Sequence, residues 1–289
     1  MRILLAGARG QLGFELMRRV PPGMEVVAVD IGELDITSRE AVLAFCRETR
    51  PDVVINAAAY TAVDRAETEP DLAFAVNAAG AAHLAEGIRE GHGRLLQVST
   101  DFVFDGSAGR PYRPDDLTAP LGVYGASKLE GESRARALLG DRVLIVRTAW
   151  LYSVHGANFV KTMLRLMREK GRVQVVSDQV GTPTWAGTLA ETIWALVEKP
   201  VFGRILHCTD AGVASWYDFA VAVGEEAWKL GLLADRPEVL PIPSCRYPTA
   251  ARRPPYSVLD KTETWELLGH PAPHWRTTLR RMLEEVAGA

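Results

Sequence analysis

The chain has 289 residues, of which 47% are hydrophobic and 24% charged, and its formal net charge is −3. This length and apolar content suffice for a sizeable core in one large or two coupled domains. The slightly acidic balance excludes the strong basic field that holds nucleic acid or an anionic membrane, so an anionic substrate has to be bound locally.

The first half of the chain alternates short apolar runs with helix-like stretches, a pattern typical of a parallel sheet with crossover helices. The predicted strands are 2–6, 25–30, 52–56, 94–99 and 142–147. The predicted helices are 11–20, 39–49, 70–88 and 124–139, the second preceded by Thr37 and Ser38 as an N-cap region. We predict an α/β fold, a Rossmann-type doubly wound parallel sheet that binds NAD(P) and spans residues 1–150.

The alternation fades beyond residue 150, and the proline-rich segments 240–248 and 252–255 interrupt regular structure. We predict a smaller, mainly substrate-binding C-terminal lobe over residues 151–289. Some of its segments, at about 172–205, are expected to return to the Rossmann domain. The runs 172–176 and 204–208 are strand candidates that either lobe can hold.

Gly7, Gly10 and Gly13 form a G-x-x-G-x-x-G pattern directly after the first predicted strand. Glycines are needed where a tight turn lets a pyrophosphate approach backbone N–H groups at a helix N-terminus. A purely structural turn is the alternative. The position between a strand and a helix favours a dinucleotide site.

Asp30 closes the second predicted strand, about 20 residues after the glycines, where a carboxylate accepts hydrogen bonds from the adenosine ribose. This favours NADH over NADPH. Arg9 opposes that preference because a guanidinium can pair with a 2′-phosphate, although a solvated arginine is equally compatible. The small side chains of Ala57, Ala58 and Ala59 allow a flat cofactor to lie against the backbone, with tight helix packing as the alternative. We expect NADH or NADPH as cofactor, with NADH favoured.

Tyr124 and Lys128 stand four residues apart in a predicted helix and therefore on one face. A ketone that receives hydride needs a proton at its oxygen, and an unperturbed phenol is a sluggish donor. A nearby ammonium is expected to lower the pKa of the phenol. Thr100, at the end of the fourth strand, can share the substrate's carbonyl oxygen with Tyr124, although Ser99 to Asp101 also suits a helix cap or a turn.

These residues together resemble the extended short-chain dehydrogenase/reductases, the branch that acts on nucleotide sugars, and within it the dTDP-4-dehydrorhamnose reductases. The resemblance spans nearly the whole chain. Its distinctive strings are GQLG at 10–13, LDIT at 34–37, NAAAYTAVD at 56–64, STDFVFDG at 99–106, YGASKLEGE at 124–132, RTAWLY at 147–152, DQVGTPT at 178–184 and RRPPYSVLD at 252–260.

The resemblance implies a role for each matching residue. Tyr124 is expected to donate the proton, beside Lys128, which binds the nicotinamide ribose, while Thr100, Asp101 and Trp150 face the sugar. The expected cofactor contacts are Gly10, Gln11, Leu12, Asp30, Asp35, Ile36, Ala57, Ala58 and Ala59, together with Gly7 and Gly13 of the loop. Of the candidate tryptophans Trp150, Trp185 and Trp216, we select Trp150 alone.

The substrate of such an enzyme carries a pyrophosphate. Arg253, which follows Arg252 on a proline-stiffened loop, is the candidate to bind it, with an exposed basic pair as the alternative. The implied reaction is hydride transfer from NAD(P)H to C4 of dTDP-4-dehydro-6-deoxy-L-mannose, giving dTDP-L-rhamnose for polysaccharide synthesis.

Three alternatives stay open: another sugar-nucleotide 4-ketoreductase, an epimerase, or a non-catalytic relative similar to the regulatory β subunit of methionine adenosyltransferase. The sugar-nucleotide 4,6-dehydratases also resemble this family, but they use an Asp-Glu pair after the threonine. Here Phe102 replaces the second acid, so a simple reduction is favoured.

The remaining expectations concern partners and compartment. Cys46, Cys208 and Cys245 lack any C-x-x-C pattern, which predicts reduced, buried thiols, and the six histidines lack metal-ligand spacing, so we predict no metal. No leader-like segment or apolar run of about 18 residues is evident. We expect a cytoplasmic protein that binds a nucleotide sugar, without nucleic-acid or membrane partners, and a homodimer is possible.

Overall fold

The computed structural model describes residues 1–288. Its strands are β1 (Arg2–Ala6), β2 (Glu25–Val29), β3 (Val53–Asn56), β4 (Arg94–Thr100), β5 (Val143–Thr148), β6 (Leu151–Tyr152), β7 (Arg172–Val176), β8 (Val180–Gly181), β9 (Thr184–Trp185), β10 (Ile205–His207), β11 (Ala214–Ser215) and β12 (Glu238–Ile242). Its α-helices are α1 (Gln11–Arg18), α2 (Arg39–Thr49), α3 (Val63–Ala66), α4 (Pro70–Phe74), α5 (Gly80–Gly87), α6 (Val123–Leu139), α7 (Phe159–Lys170), α8 (Ala186–Val197), α9 (Trp216–Lys229), α10 (Thr262–Leu268) and α11 (Trp275–Gly288).

The central element is a six-stranded parallel sheet in the order β10-β5-β4-β3-β1-β2. Every residue of β3 and β5 is buried, which explains why both strands are almost entirely apolar. The predicted Rossmann-type fold is confirmed, and the five predicted strands differ from the observed ones by at most one residue at each end. The strand order reverses between β1 and β3, the point where such sheets form a ligand crevice.

Helices cover both faces of the sheet. On one face, α1 and α8 pack through residues such as Leu16, Leu189 and Ile193. On the other, α2, α5 and α6 contribute Leu84 and Leu139 among others. Each fully buried leucine of this kind stabilises the fold by roughly 1.5–3 kcal/mol relative to its exposed state. The two apolar layers hold the C-terminal edge of the sheet in a fixed position.

The helix predicted for residues 70–88 is not uniform. It consists of α4, a π-helical turn (Ala75–Ala79) and α5. Within the π turn, Asn77 accepts a hydrogen bond from the Tyr60 backbone N at 2.9 Å and donates to the Tyr60 carbonyl at 3.1 Å and to Ser127 Oγ at 2.9 Å. The widened turn therefore serves contacts with a distant loop and with α6, which local periodicity does not reveal.

A smaller sheet and three helices form the second core. β7 pairs in parallel with β12, and α7, α9 and α11 pack on them through Met163, Phe219 and Leu279. The run 172–176 thus lies outside the central sheet, whereas β10 joins its edge beside β5. The division of the chain into lobes at residue 150, with segments 172–205 returning, stays a prediction.

The longest helix in residues 1–288 is α6, with 17 residues. No helix in this range has both the length and the apolar character needed to cross a membrane. The same residues contain no group of three or more His, Cys, Asp and Glu side chains arranged to hold a metal ion. All three cysteines are free; Cys46 and Cys208 are buried, but Cys245 is exposed, so the prediction of buried thiols is wrong for Cys245.

Gly131 is required for the close approach of α6 to the π turn. A Cβ on Gly131 would lie 2.2 Å from the Asn77 carbonyl oxygen. Gly131→Ala should therefore lower the free energy of unfolding by about 1–3 kcal/mol, although alanine is the better helix former. Urea denaturation measures the change. Gly109→Ala is the control because its Cβ has no atom within 4 Å; equal stability of the two variants would contradict the prediction.

Candidate active site

A cleft of about 980 Å³ opens at the C-terminal edge of the central sheet. All predicted site residues except Gly13 line it: Gly7, Gly10, Gln11, Leu12, Asp30, Asp35, Ile36, Ala57, Ala58, Ala59, Thr100, Asp101, Tyr124, Lys128, Trp150 and Arg253. The strands explain this convergence because the carboxyl ends of parallel strands meet at one edge. The fold thus brings together residues from both halves of the chain.

The glycine loop forms one end of the cleft. Gly7 N and Ala8 N donate to the Val29 carbonyl at 2.9 and 3.0 Å, which ties the loop to β2. Gly7 has φ +83°, and a Cβ there would lie 2.5 Å from Ala58 N; a Cβ on Gly13 would lie 2.1 Å from the Gly7 carbonyl oxygen. No side chain caps α1 at Gly10. The uncapped N–H groups and the glycine cradle fit the pyrophosphate of a dinucleotide.

Three charged side chains meet where β2 ends. Asp30 Oδ2 accepts from Arg9 N at 2.8 Å, and Asp30 Oδ1 accepts from Ile31 N at 2.9 Å. The Arg9 guanidinium pairs with Glu33, whose Oε2 accepts from Asp30 N at 3.0 Å. Sequence reasoning named Arg9 and Asp30 but missed Glu33, because nothing local signals which acid an exposed arginine meets.

The small-residue segment 57–59 is held from beneath. Asn56 Nδ2 donates to Gln97 Oε1 at 2.8 Å, and Asn56 Oδ1 accepts from Ala58 N at 3.2 Å. Further along the cleft, Asp35 Oδ1 accepts from the backbone N and the hydroxyl of Thr37 at 2.9 and 2.8 Å. Hydrogen bonds thus tie this wall to the sheet, and its alanines give it a small, apolar surface that suits a flat ring.

The reactive group lies at the base of α6. Tyr124 and Lys128 are one turn apart, and the Thr100 side chain is near enough to the Tyr124 phenol to affect its pKa. Thr100 Oγ1 accepts from Phe102 N and donates to Asp101 Oδ1, both at 3.1 Å. Lys128 Nζ donates to the Val98 carbonyl at 2.7 Å. The geometry thus places a hydroxyl pair and an ammonium at the end of β4.

Burial dominates the titration of this group. It raises the pKa of Tyr124 to about 12, with the nearby Asp101 charge adding to the rise and the Thr100 hydrogen bond opposing it. Burial also lowers the pKa of Lys128 to about 8, against the opposing charge of Glu132. The expected lowering of the Tyr124 pKa by Lys128 is therefore wrong here. The physical reason is that desolvation disfavours the phenolate, while the ammonium is hydrogen-bonded to Val98.

A buried ion pair supports α6 from below. Arg147 donates to Glu132 through Nη2 at 2.7 Å and through Nε at 3.0 Å, and the two side chains are only 2% and 4% exposed. Ser99 Oγ also donates to Glu132. Glu132 lies one turn beyond Lys128, so the pair fixes this face of the helix against β4 and β5. Sequence reasoning quoted the string that contains Glu132 without assigning it a role.

Asp101 presents an unused acceptor in the same region. It is buried, its Oδ2 makes no hydrogen bond within residues 1–288, and burial raises its pKa to about 6, against the lowering effect of the Ser257 and Thr100 hydroxyls. Phe102 packs edge-on against the Tyr124 ring, with centroids 5.6 Å apart. The pair of residues after Thr100 therefore combines one carboxyl group with one apolar ring.

Trp150 forms the far wall together with a residue that sequence reasoning set aside. Its ring stacks on Trp216 with centroids 3.6 Å apart and an interplanar angle of 5°. Its backbone has φ +48°, which is uncommon for a bulky residue. Trp185, by contrast, is buried beneath the Arg19 guanidinium and does not line the cleft. The exposed aromatic surface is thus a stacked pair.

Arg253 lines the cleft but is not free. Its Nη1 and Nη2 donate to the two carboxylate oxygens of Asp64 at 3.0 and 2.8 Å, and Nη1 also donates to the Ala251 carbonyl at 3.3 Å. The preceding Arg252 is exposed. Arg253 thus links the proline-rich loop to α3, and an incoming anion has to share its donors with Asp64.

Comparison with known proteins gives a consistent result. The model of the family described as RmlD substrate binding domain matches residues 1–287. The chain is 41% identical to dTDP-4-dehydrorhamnose reductase of Aggregatibacter actinomycetemcomitans, over 97% of this chain and 98% of that protein. It is 43% identical to a probable dTDP-4,6-dihydroxy-2-methyloxan-3-one 4-ketoreductase of Streptomyces antibioticus, over 100% and 97%. The crystal structure of dTDP-4-dehydrorhamnose reductase from Bacillus anthracis in complex with NADP superimposes with a TM-score of 0.92 at 37% identity, covering 98% and 99% of the two chains.

The glycine cradle gives a test of dinucleotide binding. Gly7→Ala adds a Cβ against Ala58 N and strains a positive φ, so we expect the Kd for NADH to rise roughly 10- to 100-fold. Titration of nicotinamide fluorescence measures it. Gly23→Ala is the matched control, because Gly23 has φ +82° and a Cβ added there would have no atom within 4 Å. Comparable NADH affinity in both variants would show that the cradle does not bind the cofactor.

Proposed function

The chain belongs to the RmlD substrate binding domain family, and from that premise we propose that it is an NAD(P)H-dependent oxidoreductase that reduces dTDP-4-dehydrorhamnose at C4 to dTDP-L-rhamnose. The observation that carries the proposal is that Tyr124 and the buried Thr100 and Lys128 share one cleft with the glycine loop. The full-length likeness to dTDP-4-dehydrorhamnose reductases supplies the substrate.

Nicotinamide, when bound, supplies a hydride to the carbonyl carbon. Negative charge then develops on the carbonyl oxygen, and Tyr124 is the group positioned to protonate it. The raised pKa of Tyr124 keeps the phenol protonated near neutral pH, so the proton is in place when it is needed. An alkoxide is far more basic than a phenolate, so the transfer is downhill. Thr100 stabilises the same oxygen by a second hydrogen bond.

Lys128 has two tasks in this account. One of its three N–H donors is bound to the Val98 carbonyl, which leaves two for the nicotinamide ribose and for the phenolate that proton transfer leaves behind. Its pKa of about 8 keeps the ammonium charged at neutral pH. Lys128 therefore positions the cofactor and stabilises Tyr124 after it has given up its proton.

The residues after Thr100 argue against the elimination of water that a sugar-nucleotide dehydratase catalyses. An elimination needs an acid and a base that both reach the sugar, and Asp101 is followed by the apolar ring of Phe102, packed on Tyr124. Asp101 is instead assigned to the sugar, since it lines the cleft and its buried Oδ2 has no hydrogen bond from residues 1–288. The Trp150–Trp216 stack provides an apolar face for the sugar or the base.

The proposal includes a preference between NADH and NADPH. We assign NADH as the preferred cofactor, on the carboxylates of Asp30 and Glu33 at the end of β2. Substituting Asp30 would be an ambiguous test, because its two carboxylate oxygens accept hydrogen bonds from the backbone N–H groups of Arg9 and Ile31. The Bacillus anthracis relative was solved with NADP, so NADPH use is compatible with the fold.

Cytoplasmic localisation is supported by the free thiols, including exposed Cys245, which suit a reducing compartment. The homodimer stays a prediction.

Tyr124→Phe removes only the phenolic oxygen that we assign as proton donor. The kcat should fall by about 10² or more, equivalent to roughly 2.7 kcal/mol of transition-state stabilisation. The Kd for NADH, measured by fluorescence, should change little. Tyr217→Phe is the control, since Tyr217 packs against the second core outside the cleft. Turnover of Tyr124→Phe within a few-fold of the parent enzyme would rule out the assigned chemistry.

Arg253→Ala tests the proposed pyrophosphate contact. Loss of a charge-assisted hydrogen bond should raise the KM for the nucleotide sugar at least about tenfold, with NADH affinity unchanged. Asp64→Asn is the discriminating variant, because it retains the guanidinium and removes its carboxylate partner. If both variants raise KM equally, Arg253 acts by holding the loop and not by binding the substrate.

A further inference from the structure

The cluster at the end of β2 has one member that the reaction does not explain. Glu33 binds the Arg9 guanidinium through Oε1 and accepts from Asp30 N at 3.0 Å through Oε2. Its carboxylate therefore has two partners, the exposed side chain of Arg9 and the backbone N–H of Asp30. Arg9 and Asp30 both line the cleft, close to the loop that we assign to the dinucleotide.

The charges of this cluster determine whether it can bind a 2′-phosphate on the adenosine ribose. Arg9 contributes one positive charge, and Asp30 and Glu33 contribute two negative charges. The other arginine that lines the cleft is Arg253, which is paired with Asp64 at 2.8 Å. Arg9 is therefore the cation available beside Asp30. A 2′-phosphate on the adenosine ribose carries up to two negative charges near pH 7.

We propose that Glu33 is a cofactor-specificity residue, which pairs with Arg9 and places a second carboxylate beside Asp30, so that adenosine with a free 2′-hydroxyl is preferred over adenosine 2′-phosphate. The proposal rests on the assignment of this cleft to NAD(P)H. The side chains of Arg9 and Glu33 are 69% and 45% exposed, and such pairs are weak. A phosphate can therefore draw Arg9 away, but Glu33 stays beside it, held by Asp30 N. NADPH is disfavoured and still usable.

Glu33→Gln is the informative change. The amide oxygen can still accept from Asp30 N, whereas the charge is lost and Arg9 is released. We expect the affinity for 2′,5′-ADP, relative to 5′-AMP, to rise about tenfold, since one unit charge is removed a few ångströms from a doubly charged group near water. Calorimetric titration with these two nucleotides isolates the 2′-phosphate. The ratio of kcat/KM for NADPH to that for NADH should rise in parallel.

Glu25→Gln is the matched control. Glu25 begins the same strand and forms a similar exposed pair with Arg2 at 3.2 Å, at the opposite end of β2. The Glu25→Gln variant should have the same preference between 2′,5′-ADP and 5′-AMP as the parent protein. Raising the salt to about 1 M should shrink the gain of Glu33→Gln, because exposed charges are then screened within about 3 Å.

Arg9→Gln, added to Glu33→Gln, completes the test. The double variant should lose most of the gain in 2′,5′-ADP affinity. The proposal is overturned if Glu33→Gln leaves the preference for 5′-AMP unchanged, or if the gain survives in full without Arg9. Nucleotide binding needs no turnover, so these results stand even if the enzyme reduces a different sugar. Absence of binding by either nucleotide would instead contradict the assignment of the cleft.

Discussion

The buried ion pair between Glu132 and Arg147 is the interaction on which the site depends. Burying two charges costs several kcal/mol per ion, and only good geometry with further hydrogen bonds offsets that cost. Here the pair is bidentate, Ser99 donates to Glu132, and Arg147 Nη1 donates to the Pro114 carbonyl at 3.2 Å. The pair lets α6 face the sheet with polar residues, and so places Lys128 in a buried position and Tyr124 at the wall of the cleft.

The same environment explains why the reactive groups titrate as they do. A phenol with a raised pKa retains its proton, and a lysine with a lowered pKa remains charged at neutral pH. The segment after β6 is hydrogen-bonded to α1. Ser153 Oγ donates to buried Glu15 at 2.7 Å, and Asn158 Nδ2 donates to Gln11 Oε1 at 3.0 Å. The segment after β6 therefore supports the glycine loop, so the cofactor and sugar ends of the cleft are mechanically linked.

Sequence reasoning succeeded where a feature is local. The strands were predictable because buried parallel strands are continuous apolar runs, and the spacing of Tyr124 and Lys128 predicted a shared helix face. It failed where partners are distant in sequence. The π turn at Asn77 depends on Tyr60 and Ser127, and the stacking of Trp150 depends on Trp216. The direction of the Tyr124 pKa shift was missed because burial is a property of the assembled fold.

The central claim is hydride delivery to C4 of the sugar, followed by protonation at Tyr124. Its most direct test is incubation of dTDP-4-dehydrorhamnose with NADH deuterated at both C4 positions, and analysis of the sugar by NMR and mass spectrometry. The account predicts one deuterium, at C4 of the hexose in dTDP-L-rhamnose, for each NADH oxidised. Oxidation of NADH without deuterium at C4 of the sugar, or no oxidation at all, would contradict it.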